Sequence, residues 1–136
     1  MQDLLLVQTP VVVQTYLDNP YLIEGLKFDL RLYVLLYGVN PLKIYLFEEG
    51  LARFATTEYM SAKESDLTDV FMHLTNYSIN KHAANFVSSE IGKSHKRNLK
   101  QIYEHLAKHG HDVEDLKSQI SELIIKAIIP GQNYLD

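Results

Sequence analysis

The most informative segment of the chain is Lys27-Phe28-Asp29-Leu30-Arg31-Leu32-Tyr33-Val34-Leu35-Leu36-Tyr37, in which charged side chains alternate with apolar ones before an apolar run. Side chains at alternate positions of a strand share a face, so Lys27, Asp29 and Arg31 are predicted to point the same way. A cation, a carboxylate and a guanidinium on one face suit a cradle for polyphosphate and sugar. A row of cross-strand charge pairs on a solvated sheet face accounts for them equally well.

Composition sets the outer limits. With 136 residues, 46% of them hydrophobic, the chain has the size of one domain with a modest core. A net charge of −4 argues against a general nucleic-acid or anionic-membrane binder. The absence of cysteine excludes disulfides, thiolate catalysis and cysteine-ligated zinc. Because the apolar runs are too short to span a bilayer, we expect a soluble cytoplasmic protein with no nucleic-acid and no membrane partner.

The first half of the chain is rich in β-branched and aromatic residues and predicts four strands. Turn signals separate them, and Glu48-Glu49-Gly50 reads as a tight hairpin in which glycine takes a positive φ. Short turns between consecutive strands predict an antiparallel meander. The predicted strands are Val11–Leu17, Phe28–Tyr37, Leu42–Phe47 and Leu51–Thr56.

The second half predicts a short helical or irregular segment over residues 66–75 and then two helices. Apolar residues at helical spacing place the first helix over Lys96–His109, with Gly110 as its αL stop. Asp112 is a good N-cap for the second helix, which runs to Pro130. The fold class is therefore α+β, an antiparallel sheet followed by two helices.

Several polar residues are candidates for chemistry. The backbone of Gln14-Thr15-Tyr16-Leu17 could border an adenine ring, although a core strand explains these residues better. Arg53 lies among small and apolar residues, so it either pairs with a carboxylate such as Glu49 or points into a ligand site. The segment from His73 to His82 is dense in hydrogen-bonding side chains, which indicates either a functional loop or a set of Asx and ST turns.

Two other clusters are assigned to the surface. His105, His109 and His111 lack the acidic residue of a metalloprotease HExxH arrangement and are predicted to lie at a helix end. A small basic cluster is read as a solvated patch. It comprises Lys93, Lys96, Arg97 and Lys100.

The motif QTYLDNPYLIEGLKFDLR, followed by EEGLARFAT and HLTNYSINKH, resembles the tubulin tyrosine ligase-like family of ATP-grasp ligases over residues 11–87. The resemblance implies an ATP- and Mg²⁺-dependent enzyme that joins an amino acid to a protein carboxylate through an acyl-phosphate. It assigns Arg31 and Arg53 to catalysis and to the phosphates. It assigns to ATP the residues Gln14, Thr15, Tyr16, Leu17, Lys27, Asp29, Thr75 and Asn76. It assigns to the amino-acid substrate the residues Arg53, Tyr77, Ser78 and Lys96.

The motifs EEGLARFAT and NYSINKH look more like the polyglutamylases of this family than its tyrosine ligase or glycylases. The resemblance then implies glutamate as the amino acid and glutamate side chains in the acidic tails of tubulin as the acceptor. Microtubules are the expected partner, in the cytoplasm and cytoskeleton or in the cilium and basal body.

The chain also departs from the family pattern. The lysines that grip the ATP phosphates before the adenine strand are missing, and so is the later segment that holds Mg²⁺. We therefore expect residues 1–136 to be a partial ATP-grasp domain, with no metal ligands of its own and little or no ligase activity alone. The alternative is a catalytically dead product that binds nucleotide or tubulin.

Overall fold

The computed structural model describes residues 10–60, 68–87 and 94–135. Among these residues, four strands are followed by two short helices, a fifth strand and two longer helices, and a 3-10 helix, Ile129–Tyr134, follows the last α-helix. The strands are β1 Phe28–Arg31, β2 Val34–Val39, β3 Leu42–Leu46, β4 Leu51–Phe54 and β5 Lys96–Asn98. The helices are α1 Val70–His73, α2 Tyr77–Asn80, α3 Leu99–Lys108 and α4 Val113–Ile128. The predicted α+β class with antiparallel sheets and helices is confirmed.

The strands form two antiparallel sheets rather than one meander. One sheet has the order β1-β4-β5, and the other is the hairpin β2-β3. The predicted strand Phe28–Tyr37 is therefore interrupted at Leu32-Tyr33. Its two parts pair in different registers, Asp29 opposite Arg53 and Leu35 opposite Tyr45. A single straight strand cannot satisfy both registers, so the chain bends between them.

Gly50 does not form the predicted hairpin turn. β4 begins directly after Gly50 and pairs with β1 instead of β3, and the φ of Gly50 lies outside the left-handed region. The glycine is required for a different reason. A Cβ atom at Gly50 would lie 2.6 Å from the carbonyl oxygen of Arg31. The absence of a side chain therefore lets the two backbones approach where β4 begins.

The predicted strand Val11–Leu17 is wrong, since these residues lie outside any described strand. Strand propensity in Val, Thr and Tyr stabilises a strand only when a neighbouring strand pairs with its backbone and covers its side chains. Here Val12 is 89% and Leu17 81% exposed. The segment is extended chain on the surface.

Both long helices are present, and their ends have the predicted caps. α3 begins at Leu99 instead of Lys96, because Lys96–Asn98 pairs with β4 as β5. The Asn98 side chain accepts a hydrogen bond from the backbone N–H of Gln101, completing a capping box. Gly110 has φ +83°, and the Asp112 side chain accepts from the backbone N–H of Asp115 at the start of α4.

The core lies on one face of the three-stranded sheet, where α3 covers it. The opposite face of the sheet carries charged residues, among them Asp29, Arg53 and Lys96. No described helix is long and apolar enough to cross a membrane. The core comprises Ile23, Ala52, Phe54, Ile102 and Leu106, with Leu26, Phe28, Leu30, Tyr103, Val113 and Leu116 packed around it.

We predict that Gly50→Ala lowers the free energy of unfolding by about 1 to 3 kcal/mol, because its methyl group would collide with the Arg31 carbonyl. Gly131→Ala is the matched control, since a Cβ there meets nothing within 4 Å. Urea denaturation of both variants measures the difference. Equal stabilities would contradict the role given to the close approach.

Candidate functional site

A row of three charged side chains crosses the sheet on the face opposite the core. Asp29 pairs with Arg53 between β1 and β4, and Arg53 pairs with Lys96 between β4 and β5. Directly paired residues of antiparallel strands project from the same face. The chain neighbours Phe28 and Phe54 stack on each other in the core. The alternation inferred from the sequence thus separates a charged face from an apolar one.

Asp29 and Arg53 form a forked ion pair in the middle of this row. Arg53 donates from Nε to the two carboxylate oxygens at 3.0 and 3.2 Å and from Nη2 to Oδ2 at 2.7 Å. Hydrogen bonding to Asp29 raises the pKa of Arg53 above its usual value. The carboxylate partner left open by the sequence is therefore Asp29 and not Glu49. Part of the charged face is therefore a cross-strand charge pair, which is one of the two interpretations that the sequence left open.

A narrow surface cleft beside Arg53 brings together four residues predicted for the site. Arg53 and Lys96 come from the sheet, Thr75 from the loop after α1, and Tyr77 from α2. The Lys96 Nζ lies 3.7 Å from the centre of the Tyr77 ring, which is a close cation–π contact. Phe54, Asn80, Phe86 and His95 complete the lining.

Stacked rings build one wall of the cleft. Phe86 lies edge-on to Tyr77, with ring centres 5.7 Å apart, and stacks on His95 at 5.5 Å. The backbone N–H of Val87 donates to Nδ1 of His95 at 3.1 Å. Burial lowers the pKa of His95, so the neutral ring carries its proton on Nε2. Phe86 and His95 were not predicted as site residues, since neither stands in a sequence motif that indicates binding.

A buried polar network fixes the loop that contains Thr75. The Thr56 hydroxyl donates to the Asn80 side-chain oxygen at 2.9 Å, and both residues are almost fully buried. Asn80 Nδ2 donates in turn to the carbonyl oxygens of Leu74 at 2.7 Å and Asn76 at 3.1 Å. The polar segment around Asn80 therefore holds the loop against the end of β4. Its density of hydrogen-bonding residues was the signal in the sequence.

A second cluster surrounds Lys27, about 7 Å along the strand from Asp29. The Lys27 Nζ donates to the Tyr16 hydroxyl at 3.3 Å and lies 5.2 and 5.9 Å from the ring centres of Tyr16 and Tyr59. The Tyr16 hydroxyl is 3.1 Å from Nδ1 of His73, whose ring is edge-on to both tyrosines. Burial and the neighbouring Tyr16 raise the pKa of Tyr59 to about 12. Tyr59 and His73 were not among the predicted site residues.

The other predicted residues lie at the edges of these clusters or apart from them. Arg31 is exposed at the end of β1, opposite Leu51. Asn76 and Ser78 are exposed at the start of α2. Gln14, Thr15 and Leu17 belong to the exposed segment before β1. Their assigned roles stay predictions.

The chemistry of the side chains determines which ligands the two clusters can bind. The cleft offers a guanidinium, an ammonium, hydroxyls and a neutral imidazole, which suit an anion rich in oxygen. They do not suit Mg²⁺, which needs oxygen ligands, because Asp29 is committed to Arg53. Across residues 10–60, 68–87 and 94–135, no group of three or more His, Asp or Glu side chains could hold a metal ion.

The fold is an α+β domain in which cations and aromatic rings lie together in two clusters. A sequence profile of the tubulin-tyrosine ligase family matches residues 2–135. The chain belongs to that family, as its motifs indicated.

Its relatives include proteins named as polyglutamylases. The chain is 50% identical over 128 residues to a probable beta-tubulin polyglutamylase of Tetrahymena thermophila, covering 91% of this chain and 11% of the relative. It is 44% identical over 129 residues to the human tubulin polyglutamylase TTLL7, covering 94% and 14%. It is 46% identical over 125 residues to the mouse tubulin polyglutamylase TTLL13, covering 92% and 15%. The chain thus spans a small part of the length of each relative.

We predict a coupling energy of about 1 to 2 kcal/mol between Asp29 and Arg53 in a double-mutant cycle of alanine variants. The side chains are 35% and 26% exposed, so the fork is partly shielded from water. The exposed pair Glu122 and Lys126 on α4 is the matched control and should give about 0.5 kcal/mol or less. Urea unfolding of the four variants in each cycle gives both values. Equal coupling energies in the two cycles would show that the Asp29–Arg53 ion pair is no stronger than an exposed surface pair.

Proposed function

We propose that this chain forms part of the substrate site of an ATP-dependent ligase that adds glutamate to glutamate side chains in tubulin tails. The observation that carries the proposal is the cleft in which Arg53, Thr75, Tyr77 and Lys96 meet. Arg53, Thr75 and Tyr77 were assigned to ATP or to the amino acid from sequence motifs, and Lys96 was assigned from the wider resemblance beyond them. Family membership and the polyglutamylase names of the relatives support the same activity.

Glutamate is the ligand proposed for the cleft. Lys96 supplies a cation held over the Tyr77 ring, and Arg53 supplies a guanidinium whose Nε and Nη2 are oriented by Asp29. A carboxylate suits such a pair because the charge-assisted hydrogen bonds are strong and the guanidinium is already fixed. Ser78, one residue beyond Tyr77, is proposed to border the same substrate.

ATP is the ligand proposed for the neighbouring cluster. Tyr16 and Tyr59 offer aromatic faces, and Lys27 offers a charge for the phosphates. The extended segment with Gln14, Thr15 and Leu17 would border the base. Asp29 would contact the ribose at the boundary between the two ligands. Thr75 and Asn76 would reach the phosphates from the loop next to His73.

The proposed reaction has two steps. An oxygen of the acceptor carboxylate attacks the γ-phosphorus of ATP, and ADP leaves. The amine of glutamate then attacks the acyl carbon of the acyl-phosphate, phosphate leaves, and an amide bond forms. Arg31 and Arg53 would offset the negative charge that gathers around the phosphoryl group. Mg²⁺ would balance charge on the nucleotide, and the described residues provide no set of ligands for it.

Tubulin tails are acidic, and the chain itself has a net charge of −4. At contact distance, nearby cations attract an acidic tail more than the net negative charge of the chain repels it, because salt screens charges beyond about 8 Å. Lys27, Arg31 and Lys96 are the cations proposed to attract the acceptor. The proposed place of action is the microtubule, in the cell body, the cilium or the basal body.

A second candidate function is binding without turnover. The observation that favours it is the commitment of Asp29 to Arg53, together with the lack of a carboxylate cluster among the described residues. Such a chain would hold nucleotide, or a tubulin tail, in the same cationic clusters and would form no product.

Binding is tested by calorimetry on the 136-residue chain with ATP and with glutamate. We expect Lys27→Ala to weaken ATP binding about tenfold, through loss of one charge-assisted contact. Lys96→Ala should weaken glutamate binding by a similar factor. Lys43 is the matched control, because it also lies over a tyrosine ring, at 5.9 Å from Tyr37, but in the β2-β3 hairpin. If Lys27→Ala and Lys96→Ala leave both affinities unchanged, the two lysines are surface charges and do not contact the ligands.

Turnover is tested by following ATP-dependent incorporation of labelled glutamate into microtubules. We expect little incorporation by the 136-residue chain, because the described residues lack a Mg²⁺ site. The human relative with its matched segment replaced by this chain should incorporate glutamate. Arg53→Lys in that chimaera should lower the rate about tenfold or more, since lysine cannot form the fork. A chimaera that binds ATP and makes no product favours the second candidate.

A further inference from the structure

A pair of histidines at the end of α3 lies outside the clusters described above. His105 and His109 are four residues apart, so they stand one above the other on the same side of the helix. Their ring centres are 4.1 Å apart, and the ring planes differ by 28°. Their sequence predicts surface residues at a helix end, because the acidic residue of the metalloprotease HExxH motif is absent.

One hydrogen bond fixes the proton of His109. Its Nδ1 lies 2.8 Å from the carbonyl oxygen of His105. A carbonyl oxygen can only accept, so Nδ1 carries the hydrogen and Nε2 of the neutral ring keeps a lone pair. Histidines that bind metals are held in this way, with one ring nitrogen donating to a backbone carbonyl and the other coordinating the ion.

His105 lies beside His109 on α3. It is half-buried in a surface depression lined by Arg97 and by residues of α3. The charged groups that face it are Glu24, which favours a cation, and Arg97, Lys108 and His109, which oppose one. Arg97 is itself paired with Glu24 at 2.6 Å, and the end of α3 carries the negative end of the helix dipole.

We propose that His105 and His109 form a chelate for a divalent transition-metal ion of the Zn²⁺ and Cu²⁺ class. Imidazole is a preferred ligand of these ions, and paired histidines at this helical spacing bind zinc in other proteins. Two nitrogens bound to one tetrahedral ion lie about 3.4 Å apart. The ring centres of His105 and His109, 4.1 Å apart, are close enough for both rings to contact one such ion. Water completes the coordination, since no third His, Asp or Glu joins the pair within the described chain.

Calorimetric titration of the 136-residue chain with ZnCl₂ and with CuCl₂ tests the proposal. We expect one ion per chain, with Cu²⁺ bound more tightly than Zn²⁺. His105→Asn and His109→Asn should each weaken binding about tenfold or more. His111→Asn is the matched control, since the His111 ring packs edge-on against Tyr21 at 4.8 Å.

A readout without mutation separates coordination from a change in folding. The ¹⁵N signals of His109 in the metal-free chain should show hydrogen on Nδ1, and its Nε2 signal should shift or broaden when Zn²⁺ is added. Binding that survives in both asparagine variants would overturn the proposal. So would a metal-free His109 that carries its hydrogen on Nε2. Neither result bears on the ligase proposal, because ATP and glutamate are assigned to other residues.

Discussion

The central place of β4 is the constraint on which the rest of the structure depends. Its two edges are occupied by β1 and β5, so Leu51, Ala52 and Arg53 each have a paired residue on either side. Phe54 and Ala52 consequently face the helix core, and Arg53 faces away from it between Asp29 and Lys96. One strand thus determines both the contents of the core and the order of charges on the opposite face.

Local signals predicted the helices well and the pairing of strands poorly. Apolar spacing, Asp112 and Gly110 act within a few residues, and they placed α4 and the C-terminal end of α3 correctly. The partner of a strand depends on distant residues, which is why Phe28–Tyr37 was joined to a meander and Val11–Leu17 was assigned a strand. Lys96–Asn98 was counted as helix for the same reason, since only β4 makes it extended.

The candidate site shows a similar division. Arg53, Thr75 and Tyr77 were named from motifs and Lys96 from the wider resemblance, and the four meet in one cleft. Phe86 in that cleft, and Tyr59 and His73 beside Lys27, were not assigned to the site, because their positions come only from packing between separate segments. Asn80 lies between these cases. Its motif marked the loop as special, but its buried bond to Thr56 follows from the end of β4.

The junction between β5 and α3 has a consequence for the position of Lys96. Asn98 ends the strand, Leu99 begins the helix, and no linker separates them. Lys96, the first residue of β5, is therefore tied directly to a helix that the buried side chains of Leu99 and Ile102 anchor. The contact between the Lys96 ammonium group and the Tyr77 ring thus depends on packing in the core on the opposite face of the sheet.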